Sequence, residues 1–141
     1  MVAMAVAERA WCVVVPHHPR GARMARHRLV GELHDELPTD LLADTVTVLA
    51  ELVGNAVLHA EPLPGGVIRV AWRLRAADGL VPPIVEVRVT DGGAAQWPRL
   101  RDVPLDAAEG RGLGIVAALA DRWGVERDGL GQSVWAEVSS P

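Results

Sequence analysis

The sequence predicts an α+β fold: a two-layer sandwich of a mixed, mainly antiparallel sheet with helices on one face. Two observations carry this reading. Segments of period-two alternation lie grouped apart from segments with helical spacing, and no repeat or linker divides the 141 residues, so residues 1–141 read as a single domain. Half of the residues are hydrophobic and 23% are charged, which suits a chain that buries a core.

Trp11 to Val15 is a short apolar, β-branched run ended by Pro16, and reads as the first strand. Arg20 to Leu37 has helical spacing, with Met24, Leu29 and Leu33 expected to face the core. Its Arg20, Arg23, Arg26 and Arg28 are most simply a solvated face; a basic partner-binding surface is the sharper alternative. Thr39 or Asp40 can cap the next helix, Leu41 to Ala60, whose Leu42, Val46, Leu49, Val53 and Ala56 or Val57 recur at helical period. Val67 to Leu74 and Ile84 to Val89 alternate as strands, and Pro82-Pro83 between them argues against a tight hairpin. Asp91 to Glu109 has no period, and a loop of that length is usually functional or mobile. Leu113 to Asp121 reads as a helix entered through Gly110-Arg111-Gly112, followed by strands at Trp123 to Glu126 and Ser133 to Val138.

Composition excludes several chemistries. All 14 positive charges are Arg, so neither a P-loop lysine nor a Schiff-base lysine exists. The net charge of −4 disfavours a general nucleic-acid binder. Cys12 is the only cysteine, which rules out an intramolecular disulfide and a cysteine-based zinc site and fits a reducing compartment. The apolar stretch from Leu41 to Ala60 carries Asp44, Glu51, Asn55 and His59, so it does not read as a membrane span. No basic region precedes the apolar N-terminal residues as in a signal peptide, and a cytoplasmic protein is expected.

Three constellations carry candidate chemistry. Glu51, Asn55 and His59 are spaced by four, so they share a helix face. Asn55 could give Mg²⁺ one carbonyl oxygen, and Glu51 could hold a metal-bound water or act as general base. An ordinary polar stripe is the plainer reading, and His59 alone reads as structural. Val89-Thr90-Asp91-Gly92-Gly93 ends a strand in a carboxylate and two glycines. It suits either a plain turn or an acceptor for a base amine such as adenine's. Gly110-Arg111-Gly112-Leu113-Gly114 leads into a helix, where backbone N–H groups and the helix dipole favour phosphate, or where a hinge is needed. Gly112 to Ala117 fits the dinucleotide pattern G-x-G-x-x-A, but no strand precedes it. His34 begins a run superficially like a phosphoacceptor histidine motif, yet reads as an exposed histidine at a helix end.

Together, in this order, the motifs resemble a known family. Glu51 to Ala60 resembles the N box of the GHKL (Bergerat-fold) ATPases, Val89 to Gly93 their G1 box, and Gly110 to Val116 their G2 box. Gly131 to Glu137 looks like their closing G-x-[ST]-V strand. Among these the chain looks most like stand-alone ATP-binding domains related to anti-sigma factor serine/threonine kinases. The resemblance implies a Bergerat-type sandwich binding ATP with Mg²⁺. It makes Asn55 the metal ligand, Glu51 the catalytic base, and Asp91 the acceptor for the adenine amine. Gly93 then lines the base pocket, while Gly110, Arg111, Gly112, Leu113 and Gly114 surround the phosphates. Ser133 adds a phosphate contact, and residues 94 to 109 form a lid. It further implies an antagonist protein, a sigma factor as a second partner, and pairing into a homodimer. Ala95 replaces the last glycine of the usual G1 pattern and Gln132 stands where relatives often carry Lys or Thr. A module that uses ATP only to order its lid, without catalysis, is the alternative. A complete histidine kinase or gyrase-like machine is excluded, since phosphoacceptor helices and a transducer domain are missing.

Overall fold

The computed structural model describes residues 7–76, 82–93, 108–129 and 131–140. Five strands and three helices follow in the order β1 (Ala7–Pro16), α1 (Pro19–Leu33), α2 (Thr39–His59), β2 (Val67–Ala76), β3 (Ile84–Asp91), α3 (Ala108–Leu119), β4 (Arg122–Arg127) and β5 (Gln132–Ser139). The strands form one sheet in the order β1-β2-β3-β5-β4, with every pairing antiparallel. The expected α+β sandwich is present, and no parallel pair occurs among the described strands. β2 and β3 are neighbours joined through residues 77–83, a connection longer than the tight turn that Pro82-Pro83 argued against.

Alternation along the strands sorts the two faces. Trp11, Val13 and Val15 of β1 pair with Trp72, Val70 and Ile68 of β2. Val85, Val87 and Val89 of β3 pair with Val138, Ala136 and Val134 of β5. These residues belong to one core with Leu29 and Leu33 of α1 and Val48, Leu49, Leu52 and Val53 of α2. With neither Phe nor Tyr available, aliphatic side chains fill the space, joined by the stacked pair Trp11 and Trp72. Each buried Leu or Val stabilises the fold by roughly 1.5–3 kcal/mol before entropy is counted. The opposite face carries ion pairs instead: Glu86 receives Arg73 at 2.9 Å and Arg88 at 3.4 Å, and Arg88 also reaches Glu126 at 2.8 Å.

The helices depart from the sequence reading in phase and ends. α1 buries Gly21, Ala25, Leu29 and Leu33, a strict i, i+4 stripe, and stops at Leu33 rather than Leu37. Met24 lies one residue off that stripe and is 46% exposed, so it does not face the core. Small residues at 21 and 25 let α1 approach the sheet closely, and hydrophobicity alone misplaced the stripe. Arg20, Arg23, Arg26 and Arg28 are all exposed, and Arg28 pairs with Glu32 at 3.2 Å. His34 is the exposed C-cap of α1; its Nδ1–H donates to the Val30 carbonyl at 3.0 Å.

α2 buries Leu41, Thr45, Val48, Leu49, Leu52, Val53 and Ala56, while Leu42, Val46 and Val57 are half-buried. The stripe is rotated from the predicted one because Thr45 joins it. Neither Thr39 nor Asp40 caps this helix. Pro38 holds the cap position, its carbonyl accepting from Leu42 N–H at 3.0 Å, and Asp40 sits inside the first turn, where its charge suits the helix dipole. By length and composition α2 could cross a membrane, but its apolar side is spent on the sheet, as in any core helix.

Candidate functional site

The C-terminal ends of α2 and β3 meet through backbone. Glu61, just past α2, donates its N–H to Gly93 O at 2.9 Å and accepts at its carbonyl from Gly92 N–H at 2.8 Å. A Cβ at Gly92 would stand 2.3 Å from Pro62 O, so only glycine allows the two segments this close. Asn55, near the end of α2, and Asp91, at the end of β3, are thereby brought to one end of the sandwich.

Asp91 is 2% exposed and lies on the helix-covered face of the sheet, in step with Val89 and Val87. Its Oδ1 accepts from Gly93 N–H at 2.7 Å, folding the segment into a turn that requires φ +97° at Gly93. Burial raises the carboxyl above its ordinary range; the Gly93 hydrogen bond and the charges of His17 and Arg127 oppose that rise. A single carboxylate, held by one oxygen and nearly free of water, is suited to accept one hydrogen bond from a donor such as a base amine.

Asn55 is half-buried on α2, and its Nδ2 is a buried polar atom without a partner among the described residues. A buried, unpaired amide end is destabilising by roughly 1–3 kcal/mol unless something polar meets it. The oxygen and nitrogen of such an amide are interchangeable by rotation, so the same group can present its acceptor to a cation. Glu51, one turn earlier, is half-buried and makes no hydrogen bond or ion pair among the described residues. His59 is exposed.

The glycine run lies elsewhere than expected. α3 begins at Ala108, so Gly110, Arg111 and Gly112 are inside the helix and do not lead into it. Ala108, Glu109 and Gly110 open the helix, where N–H groups have no acceptor one turn earlier, and Gly112 to Gly114 lie beyond them. Leu113 and Val116 face the core, whereas Gly114 is exposed and a Cβ there would meet no atom of the described residues within 4 Å. The greater part of the predicted lid, including Ala95, lies outside the described residues.

Ser133 is not brought to this site. It is the register partner of Thr90, with the two hydroxyls 2.7 Å apart on the open face of the sheet, opposite Asp91. The adjacent Gln132, 2% exposed and paired in register with Asp91, takes the position on the helix side, and Arg127 Nε donates to its Oε1 at 2.9 Å. Counting parity from the buried Val134 would have separated Gln132 from Ser133. No sequence signal marked Arg127, or His17, whose ring reaches the end of α2.

A family model described as the histidine kinase-like ATPase domain matches residues 15–138. The match takes in every constellation above, and the chain belongs to that family: it is an ATP-binding module of the GHKL type. No curated protein matches the chain.

Proposed function

We propose that the protein is a cytoplasmic serine/threonine protein kinase of the anti-sigma type, passing the γ-phosphoryl of MgATP to a serine of an antagonist protein. The observation that carries the site is the pairing of Asn55, whose buried amide end lacks a partner among the described residues, with the nearly water-free Asp91 on the facing strand end. Asp91 takes the adenine amine, with Gly93 letting the base lie against the backbone. Free N–H groups of the first turn of α3, Gly110's among them, face the phosphates, with Arg111 beside them. Leu113, being buried, holds α3 against the core, and Gly114 leaves its outer side open to the nucleotide.

The donor set fits magnesium. Mg²⁺ usually takes one or two protein oxygens and completes its shell with phosphate and water. Among the described residues no three His, Cys, Asp or Glu side chains cluster, so Asn55 would hold an ion that arrives with the nucleotide. When bound, Mg²⁺ neutralises charge on the phosphates. Glu51, unpaired among the described residues, accepts the proton of the attacking serine hydroxyl as the new P–O bond forms and the β,γ-bridging P–O bond breaks, releasing ADP. The lone Cys12 suits a reducing cytoplasm.

Calorimetric titration with ATP, with and without Mg²⁺, tests the site. Mg²⁺ should tighten binding to the wild type, and Asn55→Ala should remove most of that increment. Incubation with γ-labelled ATP and a cytoplasmic extract of the native host tests the transfer. A labelled serine is expected with the wild type and none with Glu51→Ala, although that variant still binds MgATP. Binding with no label from either protein would instead support a regulatory module that uses nucleotide without transferring phosphate.

A further inference from the structure

α2 ends without the usual device. Its C-cap, Ala60, is an extended residue (φ −124°, ψ 159°), and no glycine follows to turn the chain back on the last carbonyls. Those carbonyls are met from another element. His17, directly after β1, places Nε2 2.9 Å from Ala56 O and 2.8 Å from Ala60 O. Both partners are carbonyls and can only accept, so Nε2 carries the proton and donates to both. Ala56 O also accepts from Ala60 N–H at 3.2 Å.

His17 is fixed from behind as well, since its own N–H donates to Gly66 O at 3.0 Å. The turn between α2 and β2 is therefore held by the backbone of His17, and the end of α2 by its ring. One residue beyond Ala60 comes Glu61, whose N–H and carbonyl bind Gly93 and Gly92. An unbroken line of contacts thus runs from His17 through Ala60 and Glu61 to the Asp91 turn. Asn55 immediately precedes Ala56, one of the two clamped carbonyls.

We infer that His17 is a positioning residue of the nucleotide site: its ring clamps the last turn of α2 and so fixes Asn55 relative to Asp91. The inference rests on the nucleotide reading of that site. The ring makes no hydrogen bond to Asn55 or to the Asp91 carboxylate; its hydrogen bonds reach the site through the α2 exit.

Two measurements test it on the full chain. Amide hydrogen exchange needs no nucleotide: His17→Ala should speed exchange at Ala60, Glu61 and Gly92 about tenfold, the equivalent of about 1.4 kcal/mol, as loss of one or two hydrogen bonds implies. Unchanged rates there overturn the clamp. In calorimetry, His17→Ala should weaken MgATP about tenfold. His17→Gln, which keeps an N–H at similar reach, should recover most of that loss. In an Asn55→Ala background, His17→Ala should add little further loss, because the two act on one contact. A general loosening of the fold would not be rescued by Gln and would weaken the Asn55→Ala protein equally; either result overturns the positioning role. Failure of the wild type itself to bind MgATP overturns the nucleotide reading, and with it the role of His17 in positioning. The exchange rates still decide separately whether the clamp exists.

Discussion

At 2% exposure the Asp91 carboxylate has lost most of its hydration, and the single Gly93 N–H with the nearby His17 ring and Arg127 guanidinium does not fully replace it. Its folded-state pKa therefore lies above the unfolded value. Stability owed to this group is complete below the unfolded pKa and declines as pH rises through the folded one, so at neutral pH the ionised side chain weakens the fold. Asp91→Asn removes the charge and keeps an oxygen for Gly93 N–H. With that oxygen engaged, the amide NH₂ faces the adenine amine, donor against donor. The variant should melt at or above the wild-type temperature at pH 7 and bind ATP ten- to a hundredfold more weakly, about 1–3 kcal/mol. Thermal melting and calorimetry on the same samples check both halves. A variant that still binds ATP as the wild type does would remove Asp91 from base recognition.

α3 shows the same opposition between stability and binding at the level of an element. A helical glycine is about 1 kcal/mol less favourable than alanine, and Gly114 is exposed with open space where a Cβ would project. Packing among the described residues gives no reason for glycine there; a ligand approaching the helix would. Gly114→Ala should raise the melting temperature by about 4 °C, the equivalent of roughly 1 kcal/mol at this chain length, while lowering MgATP affinity. Higher stability with unchanged affinity would free Gly114 from the phosphate role. Elements of this kind were legible in sequence where one period dominates. The buried faces of β3 and β5 follow from strict alternation, and α2 follows from its apolar recurrence. Less legible was anything set by close approach or by a polar residue in an apolar place. Gly21 and Ala25 carry the face of α1 that hydrophobicity gave to Met24. Thr45 sits wholly buried in α2. Ser133 matched a motif, but its neighbour Gln132 has the parity that reaches Asp91. His17 could not be read at all, because its bonds to Ala56 and Ala60 join residues about forty positions apart.

Across the whole molecule the candidate site draws on α2, on the end of β3 and on α3, elements separated in sequence and joined by the core. A nucleotide that touches all three binds only the folded chain, and mass action then makes it a stabiliser. At a free concentration a hundred times its Kd it adds about 2.7 kcal/mol, which for this size corresponds to a rise of about 10 °C in Tm. The pattern across variants sorts the roles. Glu51→Ala should keep the full MgATP shift, since a proton acceptor for transfer is not needed for binding. Asn55→Ala should keep only the part that ATP gives without Mg²⁺, and Asp91→Asn, with affinity ten- to a hundredfold lower, should lose about half to five-sixths of it. Mg²⁺ alone should leave Tm unchanged, because Asn55 supplies a single neutral ligand and the rest of the shell comes with the phosphates. Melting curves on these four proteins check the whole set. A shift with Mg²⁺ alone, or an Asn55→Ala protein that responds to Mg²⁺ as the wild type does, would move the metal away from α2 and leave Asn55 as a phosphate or packing residue.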